Sequence, residues 1–76
     1  MDKTDFTEQH KAIGKRIKEL RIKAGYSSYK KFAIEHNFEM KSIWRWEAGT
    51  NYKLDTLLKI AEIHGITVSE LLKDIK

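Results

Sequence analysis

Cysteine and proline are both absent from this 76-residue chain, and glycine occurs only four times. Without cysteine there is neither a disulfide scaffold nor a thiolate metal site. No apolar run approaches the length needed to span a membrane. The opening residues, MDKTDFTE, are polar and acidic rather than those of a secretory signal or transit peptide, so a reducing cytoplasm is the expected setting. Apolar residues nowhere alternate over more than a few positions, and strands are not expected. Low-complexity segments, repeats and linkers are missing as well. The chain is expected to form one small domain over residues 1–76, with residues 1–8 as a frayed extension.

The groupings that carry catalysis are also missing. The four glycines are scattered and are taken as helix stops, so no loop cradles a phosphate. His10, His36 and His64 have no metal-ligand spacing, and two of them end or line apolar stripes, which suits core or boundary positions. Ser27 and Ser28 lack a base in register for nucleophilic chemistry. No general acid–base set can be assembled. An enzyme is therefore not expected, nor is a cofactor, a metal or a small-molecule ligand.

What is present is charge and helical periodicity. Hydrophobic residues make up 41% and charged residues 34%, the balance of a soluble globular domain rather than a disordered tail. A formal net charge of +4 and a pI near 9.4 suit a polyanionic partner. Through Lys53 the chain holds twelve Lys or Arg against seven Asp or Glu, and from Leu54 onward three against four. The basic excess belongs entirely to the part before Leu54, as an electrostatic footprint for nucleic acid requires. A solvated basic face is the plainer alternative.

Five helices are expected. The first runs from about Asp5 to Ala24, with Phe6, His10, Ile13, Ile17, Leu20 and Ala24 as its stripe. Thr4 or Asp5 caps its start, Gly25 ends it, and Met1 to Lys3 fray. The second opens at Ser27 or Ser28, turns Phe32, Ala33 and His36 inward and ends near His36. Asn37 suits a left-handed turn, and Phe38 then points back into the core. The third spans Glu39 to Ala48 and is stopped by Gly49. A loop, Thr50 to Lys53, leads to the fourth at Leu54 to His64, with the stripe Leu54, Leu57, Leu58 and Ala61 and a stop at Gly65. The fifth has the strongest start signal: Thr67 and Glu70 form a T-x-x-E capping box, with Ile66 and Leu71 placed to staple across it. It is expected to carry Val68, Leu71, Leu72 and Ile75 to the end of the chain.

The stretch AIEHNFEMKSIWRWEAG, Ala33 to Gly49, organises the rest. Its second helix has a narrow inward stripe, Ile43 with Trp46 and Glu47, and carries Met40, Lys41, Trp44 and Arg45 on the other side. Such a face offers donors for base edges and phosphates, and flat apolar surface for sugars or thymine methyls. A solvated helix face with one stray tryptophan is the alternative. Trp44 is expected either exposed on this face or packed on Tyr29 or Tyr52.

Four blocks in fixed order extend the pattern: IGKRIKELR at 13–21 with Gly25 after it, FA at 32–33, SIWRWEAG at 42–49 and LDTLLKIAEIHGITVSELL at 54–72. Together they resemble a helix-turn-helix domain of the lambda repressor and Cro type, the XRE class, over Ile13 to Leu72. The resemblance implies an all-α bundle of five helices of the lambda-repressor-like type. Helices 2 and 3 would form the motif, with helix 3 in the major groove of double-stranded DNA. It implies base contacts from Met40, Lys41, Ser42, Trp44 and Arg45. Phosphate contacts would come from Ser27, Ser28, Lys30, Thr50, Asn51, Tyr52 and Lys53. Arg21 and Glu47 match family positions that form an ion pair between helices 1 and 3. Two departures stand out. The family usually has glutamine in the first turn of helix 2, where this chain has Ser28. Glu39 replaces the usual serine or threonine at the start of helix 3; it suits the helix dipole, caps poorly and repels phosphate.

These features point to a sequence-specific transcriptional regulator, a small repressor of a phage or mobile element. With no separate effector domain, control is expected from protein concentration, operator affinity or a partner. A homodimer on an inverted repeat is expected, because one small reading head makes few base contacts. Val68, Leu71, Leu72 and Ile75 are its expected surface. A helix-turn-helix fold used for protein interaction, such as an antitoxin, is the alternative.

Overall fold

The computed structural model describes residues 5–76, whose elements in chain order are α1 (Thr7–Lys23), α2 (Tyr29–His36), α3 (Met40–Ala48), α4 (Leu54–Ile63) and α5 (Val68–Leu71). There is no strand among the described residues. None of these helices is long and apolar enough to cross a membrane. The expected Thr4 cap and the fraying of Met1 to Lys3 fall outside the described residues.

Two small apolar clusters hold the bundle. Ile13 and Ile17 of α1, Ile60 and Ala61 of α4 and Leu71 of α5 form one. Phe32 and Ala33 of α2 with Ile43 of α3 form the other. Trp46 packs against both and joins them. Ile43, Ile60 and Leu71 are fully buried, each contributing about 1.5–3 kcal/mol.

Between α1 and α3 the backbones come very close. A Cβ at Gly14 would lie 2.6 Å from the Glu47 carbonyl oxygen and 2.9 Å from the Gly49 amide nitrogen. Gly14 is therefore no helix stop, as its scattered position suggested. It is buried in the middle of α1, where only a hydrogen fits beneath the end of α3.

That crossing is locked by charge. Arg21 Nε donates to Glu47 Oε2 at 2.6 Å, and Nη2 donates to Oε1 at 3.0 Å. The Arg21 and Glu47 side chains are only 4% and 9% exposed. A third donor, Nη1, reaches the Tyr26 carbonyl at 2.7 Å. One guanidinium thus fixes α1, the α1–α2 turn and α3. The fork of donors matches the carboxylate, which is what makes burying both charges tolerable.

Local signals set most helix ends. Gly25 takes φ 99° after α1, and the Gly25 and Tyr26 amides close back on the carbonyls of Ile22 and Arg21. Ser28 caps α2 by accepting from the Lys31 amide at 3.4 Å. Thr67 and Glu70 form the reciprocal capping box at α5. α1 begins at Thr7, slightly later than expected. Asp5 Oδ1 accepts from the Thr7 amide and hydroxyl, and these bonds hold its carboxyl below the ordinary range.

Three expectations about apolar faces are corrected. In α1, Phe6 and Ala24 are exposed, because α3 crosses only the middle of the helix and its ends overhang. In α4, Leu54 and Leu58 are 65% and 50% exposed, while Leu57, Ile60 and Ala61 face the core. This helix carries apolar residues around more than half its circumference, so several stripes satisfy the same periodicity. α5 does not run to the end of the chain. It stops at Leu71, and Asp74 takes φ 67° in the turn that follows. Arg16 accounts for the stop: its guanidinium donates to the carbonyls of Leu71 at 3.0 Å and Lys73 at 2.9 Å.

Aromatic rings brace the far side of the second cluster. Phe32 stacks on His64 at 5.7 Å and lies 4.6 Å from His36, while Tyr26 meets Phe32 edge-on at 5.2 Å. Burial, and secondarily the charge of nearby His36, holds His64 below its ordinary pKa.

Two outcomes are expected. Glu47→Ala leaves a buried cation unpaired and should lower the unfolding free energy by about 3–5 kcal/mol, whereas Arg21→Met with Glu47→Leu should recover most of that in urea titrations. A small loss in the single variant would mean that the pair does not hold α3. Because the folded state depresses the His64 pKa, the stability from neutral His64 is present above pH ~6.5 and lost as pH falls below it. Melting temperatures between pH 7.5 and pH 5 should decline, and His64→Gln should flatten the decline.

Candidate nucleic-acid interface

The path from α2 to α3 is short because Asn37 adopts the left-handed conformation, φ 61° and ψ 46°. The Phe38 amide donates to the Ala33 carbonyl at 2.8 Å, which closes the end of α2. Phe38 then turns back and meets Trp46 edge-on at 5.2 Å. These contacts fix the angle at which α3 leaves the turn.

α3 has a narrow anchor and a wide free side. Ile43 is fully buried, Trp46 joins the two clusters, and Glu47 is held by Arg21. Met40, Lys41, Trp44 and Arg45 are exposed, Trp44 by 58%. Ser42 is half-buried. Glu39 is the N-cap and makes no side-chain capping bond, so its carboxylate is not tied to the helix start.

The flanking residues divide into free and committed groups. Ser27, Ser28 and Lys30 are exposed at the opening of α2, although the Ser28 oxygen also serves as the cap. Beyond α3, Arg45, Thr50, Asn51, Lys53 and Thr56 line a shallow depression with Trp46 and Tyr52. Tyr52 differs from the phosphate donor that was expected. Its hydroxyl donates to the Trp46 carbonyl, its ring meets His10 edge-on at 6.3 Å, and burial pushes its pKa up to about 12. The hydroxyl hydrogen is spent on the C-terminal turn of α3, so Tyr52 positions that turn and has no proton left to donate to a phosphate.

Arginines are similarly divided. Arg16 and Arg21 are both bound into the fold, and Arg45 is the exposed arginine of the described residues. Of the other side chains assigned from sequence, Leu71 is fully buried, while Val68, Leu72 and Ile75 pack part of their surface on the first cluster. Among the described residues, no three His, Asp or Glu side chains converge in a group able to hold a metal ion.

Sequence reasoning passed over Tyr29 as a candidate. Ser28 is the cap of α2, so Tyr29, and not Ser28, takes its first helical position. There it lines one shallow surface with Met40, Lys41 and Trp44. The run of two serines held the signal, since capping by the second puts the tyrosine at the helix opening. The Arg21 guanidinium carbon lies 5.9 Å from the Tyr29 ring centroid and holds the ring in place.

The whole arrangement is a buried anchor beneath an exposed short helix, bordered by a helix opening and a polar loop. A family model for the Cro/C1-type HTH DNA-binding domain matches residues 16–76. No curated protein and no solved structure matches the chain. On that match, which spans most of its length, the chain belongs to the Cro/C1-type helix-turn-helix DNA-binding family.

Proposed function

We propose that the chain is a sequence-specific regulator of transcription that binds double-stranded DNA, most simply a small cytoplasmic repressor of a phage or mobile element. The observation that carries this is the composition of the α3 free side. Lys41 and Arg45 stand exposed there between the α2 opening and the α3–α4 loop, while Arg16 and Arg21 are consumed by the fold. Lys41 and Arg45 would donate to guanine O6 and N7, with Met40, Ser42 and Trp44 beside them. Ser27, Ser28, Lys30, Thr50, Asn51 and Lys53 would fix the register on phosphates. No residue is assigned to catalysis.

The regulator would act as a homodimer on an inverted repeat, its half-sites about one helical turn apart. Leu71 has no surface to give a partner. The dimer contact is assigned to Leu54 and Leu58 of α4, with the surface that Val68, Leu72 and Ile75 leave exposed.

A second reading has one observation in its favour. Met40 and Trp44 expose apolar surface that would suit a protein contact, as in an antitoxin that neutralises its toxin. Salt separates the two readings, because DNA affinity falls steeply with salt in proportion to the phosphates neutralised.

Selection from a random duplex pool at near-physiological salt should enrich an inverted repeat. Lys41→Ala or Arg45→Ala should cost about 1–3 kcal/mol and relax the preference at one base position. Absence of enrichment from a folded protein would move the assignment to a protein partner. Sedimentation on the enriched duplex should give two chains per site, and Leu54→Glu with Leu58→Glu should reduce cooperative loading. One chain per site would remove the dimer.

A further inference from the structure

Exposed apolar side chains occur at several places on this surface, but only one group of them lies on the free side of α3. Met40 and Trp44 are 44% and 58% exposed. They stand one helical turn apart, at i and i+4, and so share one face of α3. Neither belongs to the two core clusters, so the fold does not need them. Tyr29 completes the group from α2. One side of it packs on the second cluster, Arg21 lies against its ring, and another part stays open. Together with the stem of Lys41 they line a shallow, mostly apolar depression. Its rigid wall is Tyr29 and its adaptable wall is Met40, whose unbranched chain fits irregular surfaces.

Keeping such surface in water is unfavourable, and a patch of this kind next to cationic donors marks a contact. On a duplex, the apolar group offered beside the hydrogen-bonding edges of the major groove is the C5 methyl of thymine; cytosine presents hydrogen at that position. We infer that Tyr29, Met40 and Trp44 form a receptor for a thymine methyl, next to the base pair that Lys41 addresses. This rests on the DNA-reading function proposed above and deepens it. Lys41 and Arg45 supply discrimination by hydrogen bonding. The aromatic and thioether group supplies discrimination by shape, which distinguishes thymine from cytosine or uracil without a polar contact. Tyr29 acts at this site as a specificity residue contributed by α2.

The test replaces each thymine of the selected site, one at a time, by deoxyuridine, which keeps every hydrogen bond and lacks only the methyl. Binding is measured by fluorescence anisotropy. One position per half-site should weaken binding about fourfold, the equivalent of one buried methyl group. Both half-sites together should weaken it about sixteenfold. In Trp44→Ala and Met40→Ala, whose parent side chains lie outside both clusters, thymine and deoxyuridine should bind equally at that position. Melting curves would establish that both variants are folded. Indifference of the parent protein to deoxyuridine at every position, with specific binding intact, would overturn the methyl receptor and leave the DNA-reading function standing. A deoxyuridine penalty that persists in both variants would place methyl recognition elsewhere and likewise overturn it. Failure to bind any duplex would remove the DNA-reading function itself, and the receptor with it.

Discussion

The buried Arg21–Glu47 pair is the interaction on which the rest of this structure depends. Three short helices meet at it, and none of them carries enough apolar surface to fix its own orientation. α2 contributes only Phe32 and Ala33 as buried residues, and α3 contributes only Ile43. A slick contact of that size would leave α3 free to roll. The guanidinium prevents rolling, because its two parallel bonds to the carboxylate are directional and its third donor holds the Tyr26 carbonyl. Gly14 makes the geometry possible by letting the end of α3 approach the backbone of α1. Charge, glycine and crossing angle are thus one constraint. A hydrophobic replacement can match its stability but not its directionality.

That anchor explains how a nine-residue helix keeps so much of its surface free. Because Ile43, Trp46 and Glu47 suffice to seat α3, Met40, Lys41, Trp44 and Arg45 carry no part of the buried core. The same economy governs the cations. Arg16 terminates α5 and Arg21 locks α3, both through planar donors that meet several acceptors at once. Lysines, which gain less from fixed geometry, remain on the outside with Arg45. A chain with modest net charge can in this way present a basic reading edge while spending its arginines internally.

Much of this was legible in the sequence because it is decided locally. Gly25, Asn37 and the Thr67–Glu70 box each specify a helix boundary within a few residues, and the structure has a boundary at each. The inward stripe of α3 was legible because it has few apolar positions to choose among. α4 was not, since leucines and isoleucines surround it and only packing selects Leu57 and Ile60 over Leu54 and Leu58. The early end of α5 depends on Arg16, fifty-five residues away from Leu71, which no local pattern contains. Gly14 resembles any other glycine until α3 is laid across it. At the site, the exposed residues of α3 could be named in advance. The committed hydroxyl of Tyr52 and the outward place of Tyr29 could not, because both follow from contacts between separate elements.

The central claim is that one edge, made by the opening of α2, the free side of α3 and the α3–α4 loop, is the surface that meets DNA. Amide chemical shifts recorded while a selected duplex is titrated into the protein test this most directly. The account predicts shifts concentrated at residues 27–30, 39–45 and 50–53, with α5 and the Arg16 contact left unmoved. Shifts concentrated on α4 and α5, with α3 unaffected, would contradict it.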